Sequence, residues 1–325
     1  MSDDPDQPEP VLPEVDAMAG GDEPFDHEAE GTVPWRDLWA ETTGILEAAG
    51  IGQANVEARW ILEEVSGLEG GELLAGLDRP ATTRGVAHLD ALVARRTAGE
   101  PIQYVLGHWA FRSLDLLVDR RVLIPRPETE QVVDVALGVL DDVALGRPGG
   151  HRLTAVDLGT GSGAIALAIA TERPAVDVWA TDRSPDALAV ARANLAGIGM
   201  AGSRVRVAEG SWFEPLDADL RGGVDLLISN PPYIAVDEEL DASVADWEPA
   251  DALVPGATGL EAYEVLAAGA PGWLAPGGAV VLEIGATQAA AVSGLLAAAG
   301  LVEISVHPDL AGLDRTVVAR APGHA

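Results

Sequence analysis

The sequence predicts an α/β fold, a mostly parallel sheet covered by helices on both faces and preceded by a small helical bundle and a short β-hairpin. Three observations predict it. From about residue 124 onward, short strand-like apolar runs alternate with helix-like segments, the pattern of parallel strands joined by crossover helices. Between residues 34 and 98 the apolar spacing is helical throughout. The chain has 325 residues, 48% of them apolar, enough to bury one sizeable domain plus a smaller one.

Residues 1–33 hold eleven acids, no Lys or Arg, and four prolines before Gly20, a composition that buries too little apolar surface to offset the entropy of ordering. They read as a disordered acidic tail. In the bundle, Trp35, Leu38, Trp39, Ile45 and Leu46 recur at helical spacing until Gly50, and Val56, Trp60, Ile61 and Val65 form a second stripe ending at Gly67. Leu73, Leu74 and Leu77 mark a short third helix. Val86, Leu89, Leu92 and Val93 mark a fourth, with Thr82 or Thr83 as N-cap. Nothing here looks catalytic. Residues 99–123 change character: 104–107 and 111–118 read as two strands around a turn, a hairpin linking the bundle to the main domain at 124–325.

In that domain, strands are expected at 153–158, 176–180, 205–208, 224–228, 279–284, 302–306 and 316–319, with helices over 164–171, 185–196, 261–273 and 287–299. Ser184-Pro185-Asp186 is a helix start, a capping hydroxyl followed by proline in the first turn. Pro127 followed by Glu128 and Glu130 reads the same way, with acids complementing the helix dipole; a place for these acids near a cofactor is the bolder alternative.

Composition bounds the function. Net charge is −32, from 52 acidic and 20 basic residues, and every basic residue is Arg. Such a chain is ill suited to binding nucleic acid through phosphates, or to an anionic membrane. The bias fits a GC-rich or salt-adapted proteome, or an acidic face for a basic protein partner. There is no cysteine, which excludes thiolate metal sites and cysteine nucleophiles. The six histidines show no paired metal-ligand spacing, so no metal is expected. No apolar run has membrane-span length and no secretory signal opens the chain, so a cytoplasmic protein is expected.

Two motifs carry chemistry. Asp157-Leu158-Gly159-Thr160-Gly161-Ser162-Gly163 puts a glycine-rich turn between a strand and a helix, where a ligand can approach the main chain. Asp182, ending the next strand, can hold the two hydroxyls of a ribose. Asp157 stands where a carboxylate can meet an ammonium, and the turn is G-x-G-x-G rather than the G-x-G-x-x-G of a pyrophosphate site. Both details favour S-adenosylmethionine over NAD. The second motif, Asn230-Pro231-Pro232-Tyr233, directly follows the strand at 224–228 and so should share the crevice. The prolines fix two backbone angles and leave rigid carbonyl acceptors. The Asn230 oxygen and the Pro231 carbonyl can accept both hydrogens of a planar NH2 group, and Tyr233 offers a flat wall.

Together these residues resemble the class I S-adenosylmethionine-dependent methyltransferases that act on planar amino groups, and most closely the bacterial release-factor glutamine N5-methyltransferases (the HemK/PrmC family). Further blocks carry the resemblance: Gly99-Glu100-Pro101-Ile102-Gln103-Tyr104, Gly107, Leu123-Ile124-Pro125-Arg126-Pro127-Glu128-Thr129-Glu130, Ser211-Trp212-Phe213 and Gly312-Leu313-Asp314-Arg315. It spans residues 35–320. It implies a seven-stranded Rossmann-like sheet, a helical domain that helps dock the substrate, and as substrate the glutamine of the Gly-Gly-Gln motif in class I peptide-chain release factors. It implies that Gly159, Thr160, Gly161, Ser162, Gly163, Asp182, Trp212 and Asn230 meet the cofactor or the reacting centre, with Trp212 near the adenine, beside the Asp157 carboxylate read above as a cofactor contact. Asn230, Pro231, Pro232 and Tyr233 hold the substrate glutamine, with Asn230, Pro231 and Tyr233 at the reacting centre. A monomer is expected. Ser211 departs from members that carry an acid there, which changes any contact from that carboxylate. Competing readings are a ribosomal-protein glutamine methyltransferase, an N6-adenine or N4-cytosine methyltransferase of nucleic acid, and a non-catalytic cofactor-binding regulator.

Overall fold

The computed structural model describes residues 33–323 except 239 and 240, so the expected acidic tail lies, apart from Val33, outside the described residues. The chain enters the bundle through α1 (Trp35–Ala48), α2 (Ala54–Ser66), α3 (Gly71–Gly76) and α4 (Thr83–Thr97). Each amphipathic helix turns its apolar stripe inward, and Trp35, Leu46, Ile61, Leu62, Leu73 and Leu89 form one core. Thr82 caps α4, its hydroxyl accepting from the Gly85 N–H at 3.0 Å. Arg96 of α4 donates to Glu57 of α2 at 2.6 Å across the bundle.

The linker corrects one expectation. Residues 104–107 are not a strand: Ile102–Leu106 forms a short helix, α5, and the hairpin is β1 (His108–Phe111) with β2 (Leu114–Leu117). The Tyr-Val-Leu run has strand propensity, but Pro101 pre-sets the entry angle and Gly107 ends the turn in the left-handed conformation. The Arg95 guanidinium of α4 then donates to the otherwise unpaired carbonyls of Tyr104 at 2.7 Å and Val105 at 3.0 Å. Tertiary contact therefore overrides local propensity.

The remaining elements are α6 (Pro127–Leu145), β3 (Leu153–Leu158), α7 (Ala164–Glu172), β4 (Val176–Asp182), α8 (Pro185–Gly197), β5 (Val205–Glu209), β6 (Val224–Ser229), α9 (Ala242–Ala245), α10 (Glu261–Gly269), β7 (Leu274–Glu283), α11 (Ala289–Ala298), β8 (Val302–Pro308) and β9 (Asp314–Arg320). They build the seven-stranded sheet, in the order β5-β4-β3-β6-β7-β9-β8. Five strands are parallel, and β9 runs antiparallel between β7 and β8. One face is covered by α6 and by α7, whose residues Ala164–Ala170 are all apolar and buried, the other by α10 and α11. The expected helix at 261–273 ends at Gly269, where Ala270–Gly272 tightens into a 3-10 turn containing Pro271. The hairpin is stapled to the main domain: Asn194 of α8 accepts from Leu117 N–H at 2.7 Å and donates to Leu117 O at 3.0 Å.

This topology positions the site. From β3 the chain steps outward through β4 to β5, then returns to β6 on the other side of β3 and continues to β7. The order reverses between β3 and β6, and a crevice opens outside their C-terminal ends. The register runs to Asp157↔Ile228, and the Ser229 hydroxyl donates to Leu158 O, so the two motifs leave the sheet side by side.

Candidate active site

The glycine turn leaves β3 with Gly159, Gly161 and Gly163 all at positive φ, 77°, 55° and 87°. Side chains there would be strained, so glycine is the residue this turn needs. Its first two N–H groups bond to Thr181 O at 2.9 Å each. Gly161 N–H donates to the Asp182 carboxylate at 2.9 Å, and the other Asp182 oxygen accepts from Ser184 N–H at 2.9 Å. Asp182 thus fixes the turn and the start of α8 together and keeps free lone pairs for a ligand hydroxyl. The Trp212 ring lies against the turn, 3.5 Å from where a Gly159 side chain would begin. Its carbonyl is held by the Thr181 hydroxyl at 3.1 Å, and its backbone is itself left-handed at φ 50°. Ser211 is engaged, its N–H donating to Glu214 at 3.2 Å.

Asp157 is fully buried. One carboxylate oxygen accepts from the Thr160 hydroxyl at 2.6 Å and from Ala166 N–H at 3.2 Å; the other, Oδ1, is buried without a partner. Burial pushes its carboxyl up to about 7, with the two hydrogen bonds pulling the other way and the Asp182 charge adding to the rise. An orphaned buried acceptor beside a glycine cradle fits a cationic, nucleoside-bearing ligand such as S-adenosylmethionine.

Across the switch point, Asn230, Pro231 and Tyr233 line a cavity of about 450 Å³ together with Leu123, Arg126 and Leu253. Pro232 and the glycine-turn residues are not part of its wall. The Asn230 Nδ2 donates to the Thr129 hydroxyl at 3.2 Å, which leaves its Oδ1 outside that bond. Tyr233 is held by its carbonyl, which accepts from Gln288 Nε2 at 2.9 Å; burial raises its hydroxyl above the usual tyrosine value. Gly259 passes so close that a side chain there would meet Tyr233 O at 2.5 Å, so the loop before α10 and the Asn-Pro-Pro-Tyr loop pack backbone to backbone.

Sequence reasoning missed several participants. Gln288 ties Tyr233 O to Gly259 O and accepts from Gly285 N–H, clamping three loops, yet it carries no signal in the sequence. Glu283, at the end of β7, is buried and accepts from the Thr129 hydroxyl at 2.6 Å. Burial pushes its carboxyl up to about 7, partly offset by that hydroxyl and by the charge of Arg315. An acid closing an otherwise apolar strand at the ligand end of the sheet was the available signal. Glu248 reaches back from the loop after Tyr233 to Ile124 N–H at 3.1 Å and to the Arg126 guanidinium, holding Arg126 at the cavity mouth. Glu130 receives the backbone N–H of Arg112 at 2.8 Å, so it anchors the hairpin and stands away from the crevice. Among the described residues no cluster of potential metal ligands occurs, and no helix is long and apolar enough to cross a membrane.

Comparison with known proteins extends this picture. Residues 37–107 match the PrmC N-terminal domain and residues 132–247 the methyltransferase small domain. The chain is 44% identical over 279 residues to the release factor glutamine methyltransferase of Cereibacter sphaeroides, covering 85% of this chain and 95% of the relative. It is 43% identical over 280 residues to that of Xylella fastidiosa, covering 86% and 98%. A solved structure, the release factor-specific protein-(glutamine-N5) methyltransferase from Alicyclobacillus acidocaldarius, is 31% identical; the match covers 61% of this chain and 94% of that one, with a TM-score of 0.36.

Proposed function

The chain belongs to the release factor glutamine methyltransferase family, and from that premise we propose that it transfers a methyl group from S-adenosylmethionine to the side-chain N5 of the glutamine in the Gly-Gly-Gln motif of class I peptide-chain release factors. One observation carries the reading: β3 and β6 end side by side, so the glycine turn and the Asn-Pro-Pro-Tyr loop leave the sheet as neighbours, and Asn230, held by its amide nitrogen, lines the cavity there.

Bound S-adenosylmethionine supplies an electrophilic methyl group on a sulfonium. The residues proposed to hold it are Asp157, Gly159, Thr160, Gly161, Ser162, Gly163, Asp182 and Trp212, with Asn230 at the junction. Asp157 Oδ1 is the natural partner for an ammonium and Asp182 for ribose hydroxyls. The Trp212 ring covers the turn as an apolar wall for a base. Asn230 Oδ1 and the Pro231 carbonyl accept the two hydrogens of the substrate amide, which turns the nitrogen lone pair toward the donor. Pro232 keeps this backbone rigid, and Tyr233 backs the amide plane. An amide nitrogen is a weak nucleophile, and among the described residues no His lines the cavity, whose one acid, Asp241, is exposed to solvent. The reading assigns most of the catalysis to alignment at a near-attack distance, an effect worth about 7–11 kcal/mol in favourable cases. The amide proton leaves after transfer, when the nitrogen is far more acidic.

Residues 34–98 are proposed to dock the release factor, residues 99–123 to link, and residues 124–325 to catalyse. A cytoplasmic monomer is part of this reading, and the net charge of −32 supports the absence of direct nucleic-acid binding. The test is methyl transfer from labelled S-adenosylmethionine to a purified release factor, to the same factor with its Gly-Gly-Gln glutamine changed to alanine, to duplex DNA and to total ribosomal protein. Label is expected on the first alone. Label on DNA or on a ribosomal protein would overturn the substrate and keep the cofactor.

A further inference from the structure

Three elements distant in sequence meet behind Asn230. Thr129 lies in the first turn of α6, Glu283 ends β7, and Asn230 follows β6. The Thr129 hydroxyl donates to Glu283 Oε2 at 2.6 Å and accepts from Asn230 Nδ2 at 3.2 Å. Glu283 is 1% exposed and Thr129 4%. Among the described residues no ion pair reaches Glu283: the nearby guanidiniums are taken, Arg126 by Glu248 and Arg315 by Asp309. A buried carboxyl whose side-chain partner is one hydroxyl is a costly way to stabilise a fold. The buried Tyr263 hydroxyl beside it uses the Glu283 backbone carbonyl, at 3.0 Å, and has no need of the side chain.

We infer that Glu283 and Thr129 are positioning residues for methyl transfer, a two-step hydrogen-bond relay that sets which end of the Asn230 amide faces the substrate. The argument is one of direction. An ionised carboxylate only accepts, so the Thr129 hydrogen must point to Glu283. The Thr129 oxygen is then left as an acceptor, and only the NH2 end of Asn230 can satisfy it. The Oδ1 end is thereby presented to the cavity, where it can accept from a substrate N–H. With a neutral carboxyl in place, Glu283 can donate to Thr129 instead; the Thr129 hydrogen is released toward Asn230, and the amide is no longer locked.

The groups facing Glu283 are Arg126 and Glu128 from the start of α6, Arg315 from β9, Tyr233 from the Asn-Pro-Pro-Tyr loop and Tyr263 from α10. Desolvation outweighs them and holds the carboxyl up at about 7. The relay is therefore ordered above that pH and loosened below it, and turnover falls on the acid side.

The inference rests on the proposed methylation of a release-factor glutamine, so that activity is measured first on the unaltered enzyme. Absence of transfer with cofactor still bound would refute the proposed function before the relay is reached. With transfer established, kcat and KM for the release factor, cofactor Kd, thermal midpoint and the pH profile between about pH 6 and pH 9 are compared for Thr129→Val, Thr129→Ser and Glu283→Gln. Thr129→Val removes the hydroxyl, and it should lower kcat by about tenfold or more with cofactor Kd little changed, while the thermal midpoint falls because Glu283 loses its side-chain partner. Thr129→Ser should restore most of the loss. Glu283→Gln should lower kcat and flatten the acid limb; if that variant does not fold, the threonine pair decides. Unchanged kcat in Thr129→Val, a Thr129→Ser variant as poor as the valine, or an acid limb that survives in the kcat of a folded Glu283→Gln at saturating cofactor would each overturn the relay.

Discussion

Two buried carboxyls flank the crevice, one on each side of β6, and they are built alike. Asp157 near the end of β3 and Glu283 at the end of β7 are both buried almost completely, both pushed by desolvation to about 7, and both bonded to a threonine hydroxyl at 2.6 Å. Their partners differ in reach. Asp157 bonds Thr160 and Ala166, three and nine residues away, and closes its own turn. Glu283 bonds Thr129, 154 residues away, and through it Asn230. The first carboxyl has an oxygen left over and belongs to the cofactor side; the second has no direct line to a ligand and acts through an amide. The same physical device, an expensive buried acid, serves binding on one side and orientation on the other.

The largest effect expected from breaking this division is at the residue where the two halves meet. Asn230→Ala removes the acceptor that both would aim, and kcat should fall about a hundredfold or more, the scale seen when one preorganised polar group is deleted from a reacting centre. Cofactor Kd should move far less. Single-turnover rates beside calorimetric binding separate the two, and equal losses would show that Asn230 serves the cofactor alone.

Asp157→Asn should give the converse result. Cofactor affinity should drop by about tenfold, because a neutral amide cannot meet an ammonium as a carboxylate does. In the unaltered enzyme the same logic gives a pH dependence. Below about 7 the Asp157 carboxyl is protonated before the ligand arrives, so binding there should weaken and should release a proton, readable as a buffer-dependent enthalpy. Glu283→Gln should leave this pH dependence intact. A cofactor Kd that tracks Glu283 and ignores Asp157 would invert the assignment.

Both acids also act on stability, with the same sign. Their folded values, about 7 each, stand above the ordinary values of 3.8 for Asp and 4.5 for Glu. The protonated forms are thus favoured in the native state, and the contribution is fully present below about 4 and lost as pH rises through 7. Near pH 8 each ionised acid costs on the order of 3 kcal/mol, so the cofactor-free Asp157→Asn and Glu283→Gln variants should be more stable than the parent there and converge with it near pH 4. Denaturant midpoints at the two pH values check this. Equal stability at pH 8 would mean that water reaches these carboxyls.

The difference in reach also explains what could be read from the chain. The alternating apolar runs forecast the parallel sheet, and the Asp157 turn, Asp182 and the Asn230–Tyr233 loop were legible because each is a contiguous string with its own backbone logic. Thr129 lies within the Pro127–Glu130 block, where a hydroxyl between two helix-start acids carries no signal of its own. Glu283 and Gln288 acquire meaning only when β7 is laid beside β6 and α6, a contact no local pattern encodes. The misread strand at 104–107 has the same cause, since what decides α5 is the Arg95 guanidinium from another helix closing on its last carbonyls.

A third strand end supplies the control for this division, and the smallest expected effect. Asp182, closing β4, is half-buried and spends its carboxylate on backbone, holding Gly161 N–H and Ser184 N–H. Ser184 in turn caps α8, its hydroxyl accepting from Ala187 N–H at 3.2 Å. Ser184→Ala removes the cap and leaves the backbone N–H that Asp182 uses. It should therefore cost about 1 kcal/mol of stability at every pH, with cofactor Kd and kcat within about twofold of the parent. A pH-dependent loss would mean that the cap is coupled to the buried acids. A loss of cofactor affinity would mean that the start of α8 shapes the ribose site through more than its backbone, and the cofactor side would then extend one element further along the chain than the glycine turn alone predicts.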